Sequence, residues 1–174
     1  EHVVTLGSSS KTLAPGLRVG WAVAPERLVT HLVRQKQAAD LHTSSMGQAV
    51  VARALQAPWF GAHLARLRSA YAARATALCD ALDRHGEHLV VPARPAGGMF
   101  VWAEARHAID TAALLPRAVG HGVAYVPGGA FATDGSHTGA MRLSFATLAP
   151  VALGDAVERL AAVLAEAAAV PVPR

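Results

Sequence analysis

The chain has 174 residues, of which 52% are hydrophobic and 16% charged, and a formal net charge of +4. That length holds one ordinary domain, or one and a fraction, with a real core. No run approaches the roughly 18 uninterrupted apolar residues of a membrane span, and nothing near the start has the basic region of a signal peptide. The positive charge invites a nucleic-acid reading. However, the arginines mingle with Asp and Glu along a helix face, and aromatics are only 5% of residues. No basic stripe interleaved with aromatics forms, so nucleic-acid contact is not expected of this segment. The single Cys79 excludes an internal disulfide and fits a reducing, cytoplasmic setting. Because Glu1 stands where an initiator Met would be, the sequence reads as a segment of something longer.

Residues 3–24 read as strand, turn, strand. Val3-Val4-Thr5-Leu6 leads into Ser8-Ser9-Ser10-Lys11, Pro15-Gly16 turns the chain, and Leu17, Val19, Trp21 and Val23 alternate with Arg18, Gly20, Ala22 and Ala24 at the period of a strand. Pro25-Glu26 opens a helix whose Leu28, His31, Leu32 and Gln35 follow at helical spacing. The polar run Asp40 to Ser45 interrupts it, and a second helix resumes through Gln48 to Leu55, stopped by Pro58. Phe60 to Arg84 is the clearest helix: Leu64, Leu67, Tyr71, Ala75, Leu78 and Leu82 form one apolar stripe, and His85-Gly86 ends it. Cys79 beside that stripe reads as a small buried hydrophobe.

Beyond Gly86 the pattern turns to β. Leu89-Val90-Val91 ends at Pro92, and Gly97-Gly98 precedes a strand beginning Met99-Phe100-Val101-Trp102. Asp110 caps a helix running to Val119. Val123 to Val126 and Met141 to Ala146 read as further strands, and a last helix starts near Pro150 with Leu153, Val157, Leu160 and Leu164 on its buried stripe. Gly97-Gly98 and Gly128-Gly129 lack any phosphate-loop pattern and read as turns with positive φ. Nine histidines form no metal set; His85 and His88 have no third ligand at a useful spacing, so no metal is expected.

Chemistry concentrates near the start. A lysine bracketed by hydroxyls and backed by a fixed cation is what a covalent imine to a phosphorylated aldehyde needs. A surface loop that happens to hold a lysine is the alternative, and spacing does not choose between them. Arg142 is the second candidate. Met141, Leu143 and Phe145 share one face of their strand, so Arg142 points to the other and must reach water or an anion. An anion site and a structural ion pair at a sheet edge are both open.

Ser8-Ser9-Ser10-Lys11 followed by Gly16-Leu17-Arg18-Val19-Gly20 resembles the lysine segment of fold-type I aminotransferases that use pyridoxal 5′-phosphate. Lys36 to Thr43, Gly97 to Trp102, Val126 to Phe131 and Met141 to Ala146 are similar, in the same order, to segments of the 2-aminoadipate and kynurenine type of that family. The resemblance implies that Lys11 carries the imine to pyridoxal phosphate, that Ser8, Ser10 and Arg18 hold the cofactor phosphate, and that Arg142 grips the substrate α-carboxylate. It further implies amino acid and 2-oxo acid substrates and a homodimer. The expected fold is α/β, the C-terminal part of a fold-type I pyridoxal-phosphate transferase. A two-strand remnant of the large domain spans residues 1–59, and a connecting helix with a complete small α/β domain spans 60–174.

The departure from the family is an absence. The phosphate loop, the ring that stacks on the cofactor pyridine, and the acid that protonates its nitrogen would all precede Lys11, and only ten residues do. The isolated segment is therefore expected to be inactive. Regulators of the GntR/MocR type, which join a winged-helix DNA reader to an aminotransferase-like effector domain with the same lysine segment, are the alternative parent. A fragment without a role of its own is the third reading.

Overall fold

A computed structural model describes residues 3–169. The chain divides into two compact units, Glu1–Leu67 and Arg68–Arg174.

In the first unit, β1 (Thr5–Ser8) pairs antiparallel with β2 (Gly20–Val23), Ser8 facing Gly20 and Thr5 facing Val23. The second strand begins later than the alternation predicts. Pro15–Leu17 forms a 3-10 turn and Arg18 takes φ 52, with its N–H donating to the Pro15 carbonyl. Pro-Gly fixes this turn, and the chain is free to extend only beyond Arg18. Helix α1 (Glu26–Asp40) follows Pro25, carries Glu26 in its first turn, and stops where Leu41 takes φ 66. It has no buried residue. Helix α2 (Ser45–Gln56) is capped by the Ser44 hydroxyl, which accepts from the Gly47 N–H, and it buries Gly47 and Val51. Helix α3 (Phe60–Arg84) spans the division between the units, and its C-terminal part buries Leu78, Cys79, Ala81 and Leu82.

The second unit holds a four-stranded antiparallel sheet of order β3-β4-β6-β5, made of β3 (Leu89–Val90), β4 (Phe100–Ala105), β5 (Val126–Pro127) and β6 (Ala140–Ser144). Helix α4 (Thr111–Gly120) lies between β4 and β5 in sequence, and α5 (Pro150–Ala168) closes the described chain. Leu82, Leu89, Val101, Met141, Phe145, Leu160 and Leu164 belong to one buried core. Period-2 alternation in β4 and β6 sends Val101, Ala103, Met141 and Leu143 into that core and leaves Trp102, Glu104 and Arg142 half-buried. This is a two-layer α/β arrangement.

The strand expected over Val123 to Val126 shrinks to Val126–Pro127. Val123 and Tyr125 are buried in alternation, but the Val123 N–H returns to the Ala118 carbonyl at 3.0 Å instead of joining a ladder. Gly98 has φ +85, as a turn glycine should, whereas Gly128 and Gly129 have no positive φ. Gly128 is there for proximity: a Cβ on it would lie 2.5 Å from the His137 carbonyl and 2.6 Å from Ala140 Cβ.

Candidate active site

The lysine loop is built on the β1–β2 hairpin. Ser9, only 1% exposed, closes it: both its N–H and its hydroxyl donate to the Val19 carbonyl, at 3.1 and 3.0 Å. The loop from Ser9 to Val19 is thereby tied at its base, with Lys11 near one end and Arg18 near the other. The Ser8 hydroxyl accepts from the Ser10 N–H at 3.1 Å, and the Ser9 carbonyl accepts from Leu13 at 2.8 Å. Ser8, Lys11 and Arg18 are exposed and Ser10 is half-buried. The Lys11 amine makes no hydrogen bond or ion pair among the described residues. Arg18 spends one N–H on the Pro15 carbonyl at 3.3 Å, and the rest of its fork has no partner among the described residues.

Two supports of this loop have no signature in the sequence pattern. The Thr12 carbonyl lies 2.8 Å from His63 Nε2. A carbonyl only accepts, so Nε2 carries the hydrogen there, and Arg66, which only donates, reaches Nδ1 at 3.4 Å. On the other side Gly47 comes close: a Cβ there would sit 3.1 Å from the Leu17 carbonyl and 3.3 Å from Val19 Cγ2.

Arg142 sits in the second unit, on the sheet face away from the core. It lies opposite Trp102 of β4 and Val126 of β5. Its guanidinium carbon is 4.1 Å from the Phe100 ring centroid and 4.8 Å from that of Phe131. Among the described residues its buried Nε has no hydrogen-bond partner and no carboxylate forms an ion pair with it. The sheet-edge salt bridge considered above therefore does not form among those residues. Phe100 could have been singled out, since it shares a face with Trp102 two residues on. Nothing in the sequence tied Phe131 to Arg142.

The donor set of the lysine loop fits a phosphorylated aldehyde in its chemistry: two hydroxyls and a guanidinium for a phosphate, and an accessible amine for a carbonyl. Residues 1–160 match the model of the family described as aminotransferase class I and II, and the chain belongs to that family. It is 43% identical over 158 residues to the 2-aminoadipate transaminase of Thermus thermophilus, covering 91% of this chain and 40% of that protein. Among solved structures, the alpha-aminoadipate aminotransferase LysN of Thermus thermophilus, complexed with N-(5′-phosphopyridoxyl)-L-leucine, superposes with TM-score 0.87 at 41% identity, over 94% of this chain and 42% of that one. An uncharacterised HTH-type transcriptional regulator of Bacillus subtilis, YdfD, is 32% identical over 83% of this chain and 30% of its own length. The chain thus spans about 40% of the length of the aminotransferases it matches.

Proposed function

We propose that the chain is the C-terminal portion of a pyridoxal-phosphate-dependent aminotransferase that moves an amino group between an α-amino acid and a 2-oxo acid. Residues 1–59 would belong to its large domain, and residues 60–174 would supply the connecting helix and small domain. The observation that carries this reading is the tied lysine loop, which buries Ser9 and leaves Ser8, Lys11 and Arg18 accessible. When bound, pyridoxal phosphate supplies the electron sink that lets the Cα–H bond of an amino acid break heterolytically. Ser8, Ser10 and Arg18 hold the phosphate through hydroxyl and charge-assisted hydrogen bonds. Lys11 Nζ would hold the cofactor's aldehyde group and would act as the general acid–base that takes and returns the proton at the substrate Cα. Arg142 takes the α-carboxylate in its planar fork, orienting the substrate. The reading brings with it a cytoplasmic location, which the unpaired Cys79 supports, and a homodimer, in keeping with the exposed apolar side chains of the first unit.

The sequence contains two lysines, Lys11 and Lys36, which makes a test direct. Lys36 is engaged with Asp40, at 2.5 and 2.6 Å, and serves as an internal control. Incubation with pyridoxal phosphate, borohydride reduction and peptide mapping should put the pyridoxyl group on Lys11, with the signal lost in Lys11→Ala. Modification of Lys36 alone would remove the site assignment.

The similarity to YdfD supports a second parent, a regulator that uses the same fold as an effector domain. A DNA-binding helix-turn-helix encoded upstream in the same reading frame would favour the regulator, and a continuous aminotransferase large domain there would favour the enzyme.

A further inference from the structure

Arg142 does not project into open water. Two aromatic rings from different elements meet it, Phe100 from β4 and Phe131 from the 3-10 turn Gly128–Phe131. Phe131 is itself held. Trp102 packs edge-on against it at 5.7 Å between centroids, and against His137 at the same distance. The Trp102 indole N–H donates to Glu104 at 3.3 Å. A chain of contacts thus runs from Glu104 through Trp102 and Phe131 to Arg142.

The physics of the guanidinium makes this arrangement informative. Its faces are weakly hydrated and stack on aromatic rings, while all five N–H donors lie in its plane. Rings against the group hold it without consuming a donor, whereas a carboxylate in the same place would consume two. The burial of Nε fits the same picture, since it sets the root of the fork inside the protein, and among the described residues nothing hydrogen-bonds the fork itself. Ordering an arginine before its ligand arrives also removes part of the entropy that binding would otherwise cost.

We propose that Phe100 and Phe131 are positioning residues that clamp the Arg142 guanidinium in the orientation that receives a carboxylate. The clamp rests on the reading of Arg142 as a carboxylate-binding residue, and it assigns to the two rings a share of that affinity although neither touches the anion. Both rings are about half exposed, at 41% and 48%, so replacing them leaves the core intact.

The test uses the whole 174-residue chain with 15N-labelled arginine. The Arg142 Nε–H signal is assigned by its loss in Arg142→Lys, and pyruvate is titrated against it, with chloride at equal ionic strength as control. The signal of the unchanged chain should move with pyruvate and not with chloride. Phe100→Leu and Phe131→Leu should each weaken pyruvate binding by roughly three- to tenfold, while Phe131→Tyr, which keeps a ring, should stay within about twofold. Backbone amide spectra establish that each variant is folded, and Phe100→Met and Phe131→Met replace any leucine variant that is not. Unchanged pyruvate affinity in the folded ring-less variants overturns the clamp and leaves Arg142 as a carboxylate ligand. An Arg142 signal that ignores pyruvate in the unchanged chain overturns the carboxylate reading, and the clamp with it.

Discussion

Ser9 stands between the two serines assigned to the cofactor phosphate, yet its hydroxyl turns inward and closes the loop onto Val19. Three consecutive serines therefore divide their work by direction. The middle one is structural, while Ser8 stays exposed and Ser10 half-buried. Gly128 makes a comparable point about glycine. Its neighbourhood, rather than its φ, forbids a side chain, because backbone oxygens of His137 and Ala140 lie 2.5 and 2.9 Å from where a Cβ would be. These atoms belong to the backbone and cannot swing aside as the end of a flexible side chain would. Gly128→Ala should cost about 1–3 kcal/mol, read as a lower urea midpoint at constant slope. Gly129→Ala, which would meet only the Ser136 carbonyl at 4.0 Å, is the matched control and should change the midpoint little.

At the scale of elements, α4 is anchored at its N-terminus from several sides. Asp110 caps it by accepting from the N–H groups of Ala112 and Ala113. The buried Thr111 hydroxyl lies 2.9 and 2.7 Å from the carbonyls of Thr138 and Ala140, donating to one of them. The Tyr125 hydroxyl donates to the Thr111 carbonyl at 2.8 Å. Burial, and secondarily the negative charge of Asp110, push the Tyr125 phenol up to about 12 from its ordinary 10.0. The folded chain thus holds that proton more tightly than the unfolded one. The resulting stability is fully present below pH 10 and is lost as pH rises through about 12. Denaturation curves across this range should show a decline that Tyr125→Phe lacks. An identical alkaline slope in the variant would show that other groups carry it.

For the molecule as a whole, burial is distributed unevenly. Leu82, Met141, Phe145, Leu160 and Leu164 are almost wholly buried in the second unit, whereas the first exposes Leu6 at 78%, Met46 at 79%, and Trp21, Val23 and Leu32 by roughly half or more of their surface. A two-stranded sheet with both edges unpaired is marginal by itself. Lys11 stands on that less enclosed unit. Exposed Lys11 makes no hydrogen bond or ion pair among the described residues, so nothing there fixes the amine in the geometry that proton transfer at Cα requires. The 174-residue chain should therefore show little or no transamination of amino acids with 2-oxo acids in a coupled assay. Turnover at the rate of complete relatives would contradict the reading of the chain as part of an active site.

Much of this was written in local pattern. The apolar stripe of Phe60–Arg84, the Asp110 cap and the alternation around Arg142 all follow from periodicities of a single element, and these the sequence determined by itself. The lysine segment too is legible as residue types at a fixed spacing. Only the tertiary structure decided that Ser9 faces inward, that His63 holds the Thr12 carbonyl, and that Phe131 meets the guanidinium of Arg142. Each of these joins residues 10 to 51 positions apart. Spacing within one helix or strand predicts which way a side chain points, but not what another element brings to meet it.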